Sequence, residues 1–71
     1  MKFIKLTNDV EQHKGNPIYI NVDHITAVYD MPVASGGIKT FVYGGFGGVT
    51  WEVEESPKQV INLINNLDGM I

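Results

Sequence analysis

The chain contains no cysteine and no arginine, and no apolar run in it approaches a membrane span. Without thiols there is neither a disulfide framework nor a thiolate metal site to support a small fold. Without arginine the usual residue for clamping phosphate or reading guanine is missing, and the five lysines are outnumbered by eight acidic residues, for a formal charge of −3. That balance argues against a nucleic-acid partner, which ordinarily requires a basic face. A spanning helix needs about 18 or more consecutive apolar residues. The opening stretch MKFIKLTNDV, with Lys2 and Lys5, also lacks the apolar run of a signal peptide. The expected location is the cytoplasm. Repeats, low-complexity tracts and linkers are also missing.

What is present is the composition of a folded domain: 44% hydrophobic against 18% charged residues, which excludes a disordered tail. At 71 residues the chain is one domain, 1–71, close to the lower limit for a self-sufficient core. A chain of this size buries only about 60% of its extended surface, so self-association is an expected remedy.

Residues 2–7 alternate loosely and predict a strand, followed by a polar loop over 8–16 with Gly15 ahead of Pro17. PIYINV then sets Ile18, Ile20 and Val22 on one face and Tyr19 and Asn21 on the other. Asp23 and His24 are expected to form a corner before a strand over 25–30. MPVASGG reads as a loop, and IKTFVYG and VTWEVEE as two further strands. Within IKTFVYG, Ile38, Thr40 and Val42 share one face while Lys39, Phe41 and Tyr43 share the other.

The period changes in SPKQVINLINNLDG. Ser56 at the N-cap, Pro57 at the first helical position and Gln59 three residues after the cap form a capping box. Val60, Ile64, Leu67 and Ile71 recur at helical spacing, Ile61 and Leu63 are expected to widen the stripe, and Gly69 is placed to end the helix. The fold class predicted is α+β: an antiparallel meander of four to five strands, with one C-terminal amphipathic helix packed on one face.

The stretch most like a functional motif is YGGFGGVTW. A phosphate cradle normally contains a lysine and a hydroxyl and opens a helix, whereas here the cluster leads into an acidic strand. Gly44, Gly45, Gly47 and Gly48 also miss the dinucleotide spacing. The expectation is a hairpin turn whose glycines supply positive φ. Phe46, flanked by glycine pairs, either covers the open end of the core or meets a partner.

No catalytic set converges. Asp23 and His24 have only Ser35, in a loop, and Ser56, at a helix cap, as possible nucleophiles. His13 and His24 with scattered carboxylates are too few for zinc, and Glu52, Glu54 and Glu55 read as a solvated acidic group. No cofactor and no metal site is expected. The aromatic set is more informative. One helix covers one face of a sheet, so Phe41 and Tyr43 are either cross-strand pairs in water or a contact surface. With Phe46 they are the candidate protein-contact residues.

IKLT at 4–7, Gly15, Asn21, Ile25, the apolar–glycine run at 40–44, VEES at 53–56 and Val60-Ile61 together resemble the small flagellar and swarming-motility proteins of the FlbD/SwrD type. Comparable small proteins occur in phages and mobile elements. The resemblance implies consecutive strands with a final helix, and a non-catalytic adaptor or accessory role without catalytic residues to carry over. The differences from that family lie in loops: a longer 8–16 segment, PVASGG in place of a short turn, and an enlarged hairpin at GFGGVTW. The reading of the sequence is a non-enzymatic module acting through protein partners or its own copies. The alternative is a small-ligand or nucleic-acid-binding module that uses the loop at 44–48 and exposed aromatics.

Overall fold

The computed structural model describes residues 2–45 and 47–67. Five antiparallel strands and one helix follow one another: β1 (Phe3–Thr7), β2 (Pro17–Asn21), β3 (Ile25–Pro32), β4 (Ile38–Gly44), β5 (Thr50–Val53) and α1 (Pro57–Asn66). Single turns of 3-10 helix occupy Glu11–His13 and Val22–His24. This is the expected α+β class with its C-terminal helix. Among the described residues no helix is long and apolar enough to cross a membrane.

The strands form a β1–β2 hairpin and a β3–β4–β5 meander. The two are tied where β1 runs on beside β5: Asn8 bridges Val53, Glu54 N–H donates to the Thr7 carbonyl at 2.9 Å, and Asp9 N–H donates to the Glu52 carbonyl at 3.0 Å. Through that bridge the order across both sheets is β2-β1-β5-β4-β3. Consecutive strands β2 and β3 are therefore the outer edges, joined only by the corner at Val22–His24. Asn21 Oδ1 accepts the Asp23 N–H at 3.0 Å and tightens that corner. Proline lacks a ladder donor, and the strand prolines, Pro17 and Pro32, both lie at the ends of edge strands. Met31 and Pro32, expected in a loop, continue β3, and the turn is confined to residues 33–37. Gly36 and Gly37 close it at φ +96° and +86°.

Register decides the faces. Ile4 pairs with Ile20 and Leu6 with Ile18, turning four apolar side chains to one side of the hairpin. Val28 pairs with Val42, and Val42 with Trp51, doing the same on the meander. Ile4, Leu6, Ile20, Val42, Val53 and Val60 form the buried core, with Ile18, Val22, Ile25, Val28, Trp51, Ile64 and Leu67 packed around it. Each large side chain so removed from water contributes about 1.5–3 kcal/mol. Ile38 shares the inner face with Thr40 and Val42 but pairs with Pro32 beyond the core, and is 70% exposed. Val49, expected to open the strand VTWEVEE, instead precedes β5 and is exposed.

The capping box forms as read: Gln59 N–H donates to Ser56 Oγ at 3.2 Å, and Ser56 N–H donates to Gln59 Oε1 at 2.8 Å. Val60, Ile64 and Leu67 face the core, but Ile61 and Leu63 do not widen the stripe; both are exposed. A short helix against a narrow sheet finds room for one row of side chains, and the flanking positions stay in water. Gly69 and Ile71 lie outside the described residues. The helix is anchored by a contact the sequence did not suggest. Glu55, placed with the solvated acids, is half-buried, and its carboxylate accepts both the Thr7 N–H and the Thr7 hydroxyl, each at 2.9 Å.

Candidate protein-contact face

The side of the meander turned away from the core carries three cross-strand rows: Ala27, Tyr43 and Thr50; Tyr29, Phe41 and Glu52; and Met31 with Lys39. The strands place them there by simple alternation, since Val28, Val42 and Trp51 are committed to the core. Of the residues expected at a contact, Phe41 and Tyr43 thus lie together on this outer face, Phe41 half-buried and Tyr43 exposed. Phe46 lies outside the described residues.

Two members of the face were missed. Tyr29 stacks on Phe41, with ring centroids 5.6 Å apart and planes at 21°, and Met31 follows it along β3. Tyr29 and Met31 are 40% and 47% exposed. Ending β3 at Asp30 hid Met31, and Tyr29, inside the expected strand, had no partner without the β3–β4 register. Once Pro32 is paired with Ile38, Tyr29 must stand opposite Phe41. The stack contributes about 0.5–1.5 kcal/mol beyond area burial.

The charges on the face are one of each sign. Lys39 Nζ donates to the Asp9 carbonyl at 3.1 Å and stands 3.8 Å from Glu52 Oε1. Both side chains are about one-third exposed, so this pair is worth no more than about 1 kcal/mol. Glu52, expected on a solvated face, is instead half-buried beside Phe41 and Lys39. Asp9 lies at the rim beside Lys14, at 3.8 Å.

The glycine loop borders the same end of the sheet. Gly47 and Gly48 supply the positive φ expected of them, at +73° and +68°. Gly44 and Gly45 are needed for another reason. A Cβ on Gly44 would lie 2.8 Å from Trp51 Cη2, and one on Gly45 would lie 2.6 Å from Thr26 Cγ2. Their N–H groups donate to the Val49 and His24 carbonyls at 2.7 and 3.0 Å, so neither is directed at an anion.

The other candidate chemistry stays dispersed. His13 and His24 are exposed in separate 3-10 turns, Ser35 is exposed in the β3–β4 turn, and Ser56 Oγ is engaged by Gln59. Among the described residues no three histidine, aspartate or glutamate side chains cluster as metal ligands would. Nor does any buried side-chain nitrogen or oxygen there lack a hydrogen-bond partner. Comparison with protein-family models, curated proteins and solved structures found no match to this chain.

Proposed function

We propose that the chain is a non-enzymatic protein-contact module that works through the outer face of β3–β4–β5. The observation carrying this reading is that Tyr29, Met31, Phe41 and Tyr43 form one continuous surface on the side opposite the core. Aromatic residues and methionine are enriched at the centres of protein interfaces, where their large areas reward burial. The resemblance to small flagellar and swarming-motility proteins, which implies a non-catalytic adaptor or accessory role, points the same way, and the cytoplasm is the location this reading assigns. Proteins, copies of the chain included, are the partners this reading assigns.

Site-specific photo-crosslinking tests it. A benzophenone side chain replaces Tyr43 in the cells that make the protein, with Tyr19, exposed on the outer side of the β1–β2 hairpin, as the control. Protein adducts are expected from position 43 and not from 19. Equal yields at the two positions, or none at 43, would remove the reading.

A further inference from the structure

We infer that the partner of this face is a second copy of the same chain, packed sheet against sheet about a two-fold axis. This deepens the reading of the face as a protein-contact surface and rests on it. The argument is one of charge. Within the outward positions of β3, β4 and β5, Lys39 and Glu52 are the only acidic or basic side chains, so the face is neutral on a chain of net charge −3. The neighbouring acids lie off it or are paired: Asp30 is on the opposite side, across from buried Thr40, Asp23 is in the β2–β3 corner, and Asp9 at the rim stands 3.8 Å from Lys14. Glu54 and Glu55 follow the end of β5. Two such faces meet without like-charge repulsion, whereas a basic partner drawn by the overall charge would meet Lys39, and an acidic one would be repelled before contact.

The two-fold operation supplies complementarity as well as neutrality. An isologous interface sets each residue of one copy against its counterpart's neighbours. Lys39 and Glu52 sit on adjacent strands and two residues apart along them, 3.8 Å from each other and about one-third exposed, so each keeps room for a second ionic neighbour. Against a rotated copy the four groups close a square of alternating sign, with Tyr29, Met31 and Phe41 meeting their equivalents beside it. Sheets packed face to face lie about 10 Å apart with strands roughly aligned, a spacing these side chains fill. The gain also suits the chain, since a domain of this size buries only about 60% of its extended surface on its own.

Charge reversal tests the pairing on the full chain by sedimentation velocity across a wide concentration range. The wild type is expected to dimerise. Lys39→Glu sets acid against acid across the axis, and Glu52→Lys sets base against base; each is expected to weaken dimerisation about tenfold or more. Mixed in equal amounts, the two variants are expected to form a heterodimer of near wild-type strength. Loss of the bridge within each chain cannot produce that rescue. A wild type that stays monomeric, reversals without effect, or a mixture that fails to recover would each overturn the inference. If either reversal unfolds by circular dichroism, Met31→Lys on the exposed rim decides instead: a weakened dimer supports the pairing and an unchanged one refutes it. Monomer behaviour combined with Tyr43 adducts to a different protein would discard the second copy while keeping the contact face. Monomer behaviour without adducts discards both.

Discussion

Removing the Glu55 carboxylate should loosen the junction between the helix and β1. In the native fold that group accepts two hydrogen bonds from one residue, Thr7 N–H and Thr7 Oγ1, both at 2.9 Å and half-buried. A hydrogen bond to a charged group contributes about 1.5–3 kcal/mol, with the lower end fitting a partly solvated site. Glu55→Ala leaves two donors without their acceptor and is expected to cost about 2–3 kcal/mol. For a domain of this size that corresponds to a fall in Tm of roughly 10–20 °C. Thr7→Val removes the hydroxyl but keeps the backbone donor, and is expected to cost about 1 kcal/mol. Because the two changes delete one shared bond, the double variant should lose less than their sum by about 1 kcal/mol. Urea unfolding followed by circular dichroism measures all three, with an unchanged m-value as the check that the unfolded state is the same. A loss under about 0.5 kcal/mol for Glu55→Ala, or strict additivity in the cycle, would show that the contact does not hold the junction.

The remaining predictions concern the loop, the helix and the aromatic stack. Gly44→Ala drives a methyl group into the Trp51 ring and is expected to cost about 1–3 kcal/mol with altered tryptophan fluorescence; unchanged stability would refute the packing account of that glycine. Gly47→Ala has open space but strained backbone at φ +73°, and should cost about 1–2 kcal/mol while leaving fluorescence alone. Leu63→Lys, on the exposed side of α1, should change stability by no more than about 0.5 kcal/mol, whereas a core role would cost several times that. Phe41→Ala should leave the fold intact, cost about 1 kcal/mol through the lost stack on Tyr29, and abolish crosslinking from position 43.

Capping and alternation were legible because both are settled within a few residues. Ser56, Pro57 and Gln59 satisfy one another's helix-end groups without reference to the rest of the chain. The split of Lys39, Phe41 and Tyr43 from Thr40 and Val42 follows from extended backbone alone. The turn glycines Gly47 and Gly48 also belong to this class. The face was visible in part for the same reason: alternation marked Phe41 and Tyr43, but only the pairing of Pro32 with Ile38 brought Tyr29 and Met31 beside them.

Tertiary structure decided what depends on distant partners. That β5 returns to lie beside β1, that Glu55 meets Thr7 across the chain, and that Gly44 must make room for Trp51 are consequences of closing loops of many residues around one core. Local propensity carries no record of those distances. The inward side of α1 was likewise set by the width of the sheet beneath it: Val60, Ile64 and Leu67 found cover there, while Ile61 and Leu63, equally apolar in sequence, did not. Periodicity names the residues suited to burial, and the space left by the packed strands determines which of them are buried.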